Sequence, residues 1–275
     1  MILVNGKPGS SIGVADRGLQ YGDGLFETLA VVRGQALCLD RHLARLASGC
    51  RSLEIPSPDE AAFREDLSTV SKGIARGVVK IIVTRGISAR GYRASANPTP
   101  TRIVSSYPWP PFPATNRSDG VALRVCRTRL SINLRLAGLK HLNRLEQVLA
   151  VNEIDDPKVS EGLMLDTEGA VVEGTMSNVF YVEKGRLMTP DLSRCGVQGI
   201  IRAEIIDWAR RNLDTPVGQT RTGPDALLKS EECFICNSLI GVWPVNSIDG
   251  REVPLGPIAR SIQSDLDTAQ VITSD

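Results

Sequence analysis

The sequence predicts an α+β fold in two domains, and three observations carry that expectation. Runs of short β-type segments and runs of amphipathic helical segments cluster within each half of the chain instead of alternating as a regular βαβ repeat. A break at residues 107–120, YPWPPFPATNRSDG, carries four prolines among small polar residues and interrupts any regular pattern. A length of 275 residues with 42% hydrophobic content supplies enough core for two domains. The expected boundaries are an N-terminal α+β domain over residues 1–112, a linker over 113–120 and a C-terminal α+β domain over 121–275.

In the first half, Asn5-Gly6 reads as the turn of a short hairpin. A strand follows in LFETLAVV, then a turn at Arg33-Gly34 and a second strand in QALCL. The next segment places Leu43, Leu46, Ala47, Cys50 and Leu53 on one helical face. A second helix is expected to open with Ser57, Pro58 and Glu60, a capping box with proline at the first helical position. The apolar run GVVKIIVTRG reads as a central strand.

In the second half, a strand in VALRVCRTRL leads to LKHLNRLEQVLAVNE, where Asn143 and Glu146 suggest a capping box that starts a helix near Arg144. GLMLD, AVVEG and NVFYVEKG then read as a strand meander, with RLMTP closing a hairpin at Lys184-Gly185. A helix in IIRAEIIDWARR carries Ile201, Ile205, Trp208 and Ala209 on its apolar face. Strands in PVGQTR and CFICN and a last helix from about Ala259 to Leu266 complete the chain.

Composition narrows the function classes. The 32 Lys and Arg residues balance 31 Asp and Glu to a formal net charge of +1, which argues against a nucleic-acid surface or a polybasic membrane anchor. MILVNGKPGS lacks the long apolar stretch of a signal peptide, and no segment is apolar for long enough to span a bilayer, so a cytoplasmic protein is expected. The six cysteines, Cys38, Cys50, Cys126, Cys195, Cys233 and Cys236, are scattered, which favours reduced thiols. CFIC reads as a buried strand with thiols on opposite faces rather than as a redox or zinc motif. His42 and His141 do not share a ligand spacing, so no metal site is expected.

Lys140 falls in the approach to the helix near Arg144, with His141, Arg144 and Arg135 close in sequence. Positive surroundings favour the free amine that Schiff-base chemistry needs. Taken alone, the stretch fits an ordinary solvated lysine better. Three further features bear on it. Glu173 ends an apolar strand in VVEGTMSNVF, and a buried carboxylate needs a cationic or protonated partner. Gly199 precedes a helix, so that the amides of Ile200 and Ile201 are able to hold a phosphate. Ser238, in CNSLIG, follows a strand directly and offers a hydroxyl to such a nest. A surface strand residue, an ordinary helix cap and a turn residue are the respective alternatives.

In combination these stretches resemble the fold-type IV pyridoxal-phosphate enzymes, a group that includes branched-chain aminotransferases, D-amino acid aminotransferases and 4-amino-4-deoxychorismate lyases. The similarity runs in order from ILVNG through DRGLQYGDGLFET, RHLARL, VTRGISARGY, GLKHLNRLEQVL, EGTMSNVF and VQGIIR to CNSLIGVWPV. Within the group, KHLNRLEQVL and RGISARGY are most similar to the lyases, which make 4-aminobenzoate for folate synthesis. An aminotransferase stays open as the alternative, as does a non-catalytic protein that binds the same cofactor.

The resemblance implies a D-amino acid aminotransferase-like architecture, pyridoxal 5'-phosphate as cofactor, a homodimer, and 4-amino-4-deoxychorismate as substrate. It makes Lys140 the Schiff-base lysine and pairs Glu173 with the pyridine nitrogen, keeping that nitrogen protonated. Arg45 in RHLARL, the Ile200 and Ile201 amides and Ser238 match positions that hold the cofactor phosphate, which offers Arg45 a bidentate partner. A solvated arginine in a surface ion pair is the alternative for Arg45. Asn178 matches a position near the cofactor ring, with a structural role in the strand or turn equally open. Arg90, Tyr92 and Lys80 are implied to bind the substrate carboxylates. Phe26 and Thr28, in GDGLFET, match the surroundings of the substrate, and Thr28 would deliver a proton to the departing enolpyruvyl group.

Overall fold

The alternation along LFETLAVV and the apolar run of GVVKIIVTRG produce the two long strands around which the first part of the chain is built. The computed structural model describes residues 1–272. It divides into two units, one of residues 1–111 with 139–143 and the other of residues 112–138 with 144 onward. The last three residues of the expected second domain, 273–275, lie outside the described residues.

In the first unit the elements are β1 (Ile2–Val4), β2 (Lys7–Pro8), α1 (Arg17–Tyr21), β3 (Gly24–Val32), β4 (Gln35–Ala36), α2 (Leu39–Ser52), α3 (Glu60–Ser71), β5 (Arg76–Thr84) and β6 (Thr101–Pro108). They form a six-stranded sheet in the order β2-β1-β6-β5-β3-β4 with antiparallel neighbours throughout. Asn5 and Gly6, at φ 51° and 79°, make the turn of the first hairpin. One face of the sheet, with Leu25, Leu29, Val79, Ile81, Val83 and Val104, buries against Leu43 and Leu46 of α2 and Phe63, Leu67 and Val70 of α3.

Several local expectations are corrected here. QALCL yields only the two residues of β4, because Cys38 turns the chain at φ 52° and Leu39 already begins α2. Helix α3 starts two residues later than the Ser57 capping box implies: Asp59 is its N-cap and accepts from the Ala61 amide at 3.2 Å. Strand β6 lacks a forecast. It runs into the proline-rich break, where Tyr107 and Pro108 still pair with Val78 and Gly77.

The second unit contains α4 (Thr115–Ser118), β7 (Val121–Leu130), α5 (Leu145–Val151), β8 (Val159–Asp166), β9 (Val171–Gly174), β10 (Asn178–Glu183), β11 (Arg186–Pro190), α6 (Ile200–Asn212), β12 (Gly218–Thr220), α7 (Pro224–Leu228), β13 (Glu232–Asn237), β14 (Gly241–Ile248), β15 (Arg251–Glu252) and α8 (Pro257–Thr268). Its sheet runs β12-β11-β10-β13-β14-β7-β8-β9, with β15 beside β14. β8–β9 and β10–β11 are antiparallel pairs as expected of a meander, but β10 pairs with β13 instead of β9, and β14–β7 and β7–β8 are parallel. The expected run of consecutive strands is therefore two hairpins placed apart in one mixed sheet.

The Asn143 capping box does not form. The Asn143 side chain donates to the Gly22 carbonyl at 3.3 Å, Glu146 accepts from the Ser131 amide and hydroxyl at 2.9 and 2.6 Å, and α5 starts at Leu145 without a side-chain cap. Ala150 is buried, but the large apolar residues face outward, with Leu145 76% exposed and Val148, Leu149 and Val151 exposed beside it. The six cysteines are all free and five are buried. Burial raises the Cys236 thiol to about 12, so CFIC is the structural strand the sequence suggests. Among the described residues no helix is long and apolar enough to cross a membrane, and no His, Cys, Asp and Glu cluster is suited to a metal ion.

Candidate active site

Lys140 is held by main-chain pairing with β3. The Phe26 amide donates to the Lys140 carbonyl at 2.9 Å and the Leu142 amide to the Gly24 carbonyl at 3.0 Å, so the short segment lies antiparallel along the strand edge at Leu25 and His141. That pairing explains why residues 139–143 belong to the first unit, although the sequence assigned Lys140 to the C-terminal domain. The Lys140 Nζ lies 4.4 Å from the centre of the Phe26 ring, and the Lys80 Nζ lies 5.1 Å from the same centre. Thr28 is two residues along β3 from Phe26 and pairs directly with Lys80 on β5. Strand alternation sends all three side chains to the face that α2 and α3 leave uncovered. The structure thus gathers Lys140, Phe26, Lys80 and Thr28.

Glu27 points the other way, into the core between Leu25 and Leu29, and is 1% exposed. Its carboxylate accepts from the Arg45 Nε at 2.8 Å, from the Arg45 Nη2 at 2.5 Å and from the His42 Nδ1 at 2.7 Å. Burial raises the Glu27 carboxyl, but the Arg45 charge and these bonds outweigh burial and hold it down to about 2. His42 is lowered, chiefly by burial and also by the charges of Arg45 and Lys140, against the pull of Glu27. Glu27 is thus a bidentate partner for Arg45 within the protein, and the position that carries it was missed in the sequence. A charged residue at an inward place of an alternating strand was the available signal.

Arg90 and Tyr92 lie in the exposed loop between β5 and β6, with Tyr92 87% exposed. The loop is tied down by Arg17, which donates to the Gly91 carbonyl at 2.9 Å and to the Tyr92 carbonyl at 2.8 Å, while Asp23 fixes the Arg17 Nε at 2.7 Å.

A second cluster belongs to the other unit. Glu173, at the end of β9 and buried, accepts from the Val197 amide at 2.8 Å and from the Asn178 Nδ2 at 3.4 Å. The Asn178 amide group also donates to the Val197 carbonyl at 2.9 Å, tying β10 to the loop before α6. Gly199 is the N-cap of α6 and no side chain caps it. A Cβ at Gly199 would stand 2.0 Å from the Asn178 Oδ1, so only glycine lets the helix start come this close. The first amides of α6, those of Ile200 and Ile201, have no partner within the helix. Ser238 sits directly after β13 in a turn where the Asn237 side chain accepts from the Leu239 and Ile240 amides at 2.8 and 2.9 Å. Asn178 opposes Cys236 across the β10–β13 pair, and Asn237 donates to the Met176 carbonyl at 3.1 Å. Glu173, Asn178, the start of α6 and Ser238 are therefore linked at one end of this sheet, while Arg144 and Arg202, both lowered by burial, feel the charge of Glu173.

The fold and these clusters define a class that comparison with known proteins identifies: the chain belongs to the amino-transferase class IV family, which it matches over residues 24–248. It is similar to the crystal structure of 4-amino-4-deoxychorismate lyase from Pseudomonas aeruginosa, with 46% identity, a TM-score of 0.94, and coverage of 99% of this chain and 100% of that one. It is 36% identical to the aminodeoxychorismate lyase of Vibrio harveyi over 98% of this chain and 100% of that protein. The branched-chain amino acid aminotransferase of Escherichia coli shares the fold, with a TM-score of 0.87 at 22% identity and coverage of 100% and 96%.

Proposed function

We propose that the chain is a pyridoxal-phosphate-dependent 4-amino-4-deoxychorismate lyase that converts its substrate to 4-aminobenzoate and pyruvate. The observation that carries the reading is the full-length similarity to lyases of this name, at 46% and 36% identity. The residues fit the cofactor. They include a lysine amine on a strand edge, a buried carboxylate, and an uncapped helix start closed to any Cβ by Asn178. Pyridoxal phosphate, when bound, accepts the electron pair released at the substrate carbon.

In this reading Lys140 holds the cofactor covalently. With the substrate bound, the Lys140 Nζ would be the base that removes the proton from the substrate ring carbon bearing the amine. Glu173 keeps the pyridine nitrogen protonated, with Asn178 beside it fixing the carboxylate. The Ile200 and Ile201 amides and the Ser238 hydroxyl bind the phosphate. Arg45, paired through Nε and Nη2 with Glu27, holds the phosphate with them. Thr28 passes a proton to the methylene of the departing enolpyruvyl group, beside Phe26 and Lys80. Lys80, with Arg90 and Tyr92, binds the two substrate carboxylates. Because the ring becomes aromatic as the carbon–oxygen bond breaks, no amino acceptor is needed.

The protein acts as a cytoplasmic homodimer in this reading. The outward apolar residues of α5 support an interface between copies, and the exposure of Arg90 and Tyr92 supports a loop that serves the partner's substrate. Sedimentation of a fully active monomer would contradict the dimer.

The decisive experiment supplies 4-amino-4-deoxychorismate and measures 4-aminobenzoate and pyruvate, which should appear in equal amounts. Lys140→Ala should abolish turnover and the yellow colour of the loaded protein while leaving the fold intact, and retained activity would end the proposal. Thr28→Val should bind cofactor normally and release pyruvate roughly a hundredfold more slowly. Wild-type turnover by that variant would return Thr28 to a strand residue. Conversion of D-alanine with a keto acid, without 4-aminobenzoate, would make the protein an aminotransferase.

A further inference from the structure

Glu161 has a fully buried carboxylate for which the reaction above has no use. It stands in β8 and is 1% exposed. Its two oxygens collect donors almost entirely from one short turn. The Thr175 amide at 3.0 Å and the Thr175 hydroxyl reach Oε1, which also takes the Gly162 amide at 2.9 Å. The Met176 amide at 3.3 Å and the Ser177 hydroxyl at 2.8 Å reach Oε2. The turn is further closed by the Gly174 amide on the Ser177 carbonyl at 2.6 Å.

The place of that turn gives the carboxylate its significance. It joins β9 to β10, two strands that do not pair with each other, so no ladder sets the distance between the end of one and the start of the other. Glu173 is the residue just before the turn and Asn178 the residue just after it, and they meet across it at 3.4 Å. A Cβ at Gly174 would stand 3.0 Å from the Glu161 Cδ and 2.2 Å from the Ser177 Oγ, so the glycine backbone is drawn in onto the carboxylate. Glu161 thus supplies from a third strand the bonds that a β-ladder would otherwise provide.

We infer that Glu161 is a positioning residue for the cofactor ring: its carboxylate shapes the Gly174–Ser177 turn and so sets Glu173 and Asn178 in place. The inference rests on the proposed use of Glu173 with pyridoxal phosphate, but the placement itself is open to measurement without cofactor. Glu161→Gln replaces one acceptor oxygen by a donor and so opposes amide or hydroxyl donors of the turn. Glu232 provides a matched control. It is another buried carboxylate of the same unit, and it accepts from the Ile258 and Ala259 amides at 3.0 and 2.6 Å at the start of α8, away from the turn.

The experiment compares wild type, Glu161→Gln, Ser177→Ala and Glu232→Gln by thermal unfolding, by amide hydrogen exchange of the cofactor-free protein, and by titration with pyridoxal phosphate. Glu161→Gln should weaken cofactor binding about tenfold, the scale of an unsatisfied buried donor. It should also shift the pH at which the visible band of the bound cofactor changes, and speed exchange at Thr175, Met176 and Val197. Ser177→Ala should do the same in smaller measure, and it decides the matter if Glu161→Gln does not fold. Glu232→Gln should lower thermal stability with none of the other changes. The inference is overturned if the Glu161 and Ser177 variants lose stability as Glu232→Gln does while exchange in the turn and cofactor binding stay at wild-type values. If wild type itself takes up no cofactor, the proposed function fails, and exchange at Val197 still tests the placement of Glu173.

Discussion

The two units neutralise their buried acids in different ways. In the first, Glu27 meets Arg45 and His42, Asp66 meets Arg102 at 2.6 Å, and the half-buried Asp23 meets Arg17 and Arg85 at 2.7 and 2.8 Å. In the second, Glu161 and Glu232 are met by amides and hydroxyls, while Glu173 takes amide donors and also faces the charges of Arg144 and Arg202. Asp16 and Asp166 are the exceptions, the first taking the hydroxyls of Thr84 and Thr101 and the second the Arg221 guanidinium. A counter-charge lowers a carboxyl strongly, whereas neutral donors only offset part of the cost of burial. Glu27 is accordingly held down to about 2, while burial raises Glu161 and Glu232 in spite of their hydrogen bonds. The lesson is that burial alone does not fix the sign of a pH response; the chemistry of the partner does.

Removing the strongest counter-charge pair breaks the comparison most directly. Glu27→Gln leaves the Arg45 charge without its carboxylate and should cost about 3–5 kcal/mol at neutral pH, measured by urea unfolding. The same variant tests the sign. With its folded value near 2 against an ordinary 4.5, Glu27 contributes stability that is complete above pH 4.5 and is lost as the pH falls towards 2. The wild-type loss over that window should be on the order of 3 kcal/mol, and Glu27→Gln should be flatter there. An unchanged acid limb would contradict the assignment.

Asp66→Asn, which weakens a more peripheral pair at the side of α3, should cost about 2 kcal/mol, the scale of a hydrogen bond to a charged group. The smallest effect belongs to the second unit. For Glu161 and Glu232 the folded values lie above the ordinary 4.5, so their contribution is complete below pH 4.5 and is lost as the pH rises through the folded values. Amide exchange corrected for its intrinsic pH dependence should show β8 and β13 better protected, relative to β3 and β5, at pH 5 than at pH 7. The reverse order would mean that the two units do not differ in the way their partners imply.

Local pattern made much of this legible in the sequence. β3, β5, β7, β13, α2 and α6 follow from periodicity, and Glu173, Gly199 and Ser238 stand at the element ends where the sequence put them, while the roles given to them and to Lys140 come from the resemblance. What escaped has a common cause. β6 and β14 lie in sequence interrupted by proline, and strand partners alone make them strands. The Asn143 and Ser57 boxes have the right spacing, but their side chains found other partners once the chain was packed. Glu27 and Glu161 stood in plain view inside apolar strands, yet their partners, Arg45 and the Gly174–Ser177 turn, lie on other elements and could not be read from local spacing.

The antiparallel seat of residues 139–143 on β3 also bears on how the molecule is made. A ribosome that has released the first 111 residues has produced only part of the first unit, since the segment completing the edge at Gly24–Phe26 is still to be translated. Until it emerges, that edge presents unpaired amides and carbonyls to any other nascent chain, a hazard that an open strand always carries. A fragment ending at the proline-rich break would keep this edge permanently bare, so the fragment should clump, and adding the later half in trans should restore its solubility.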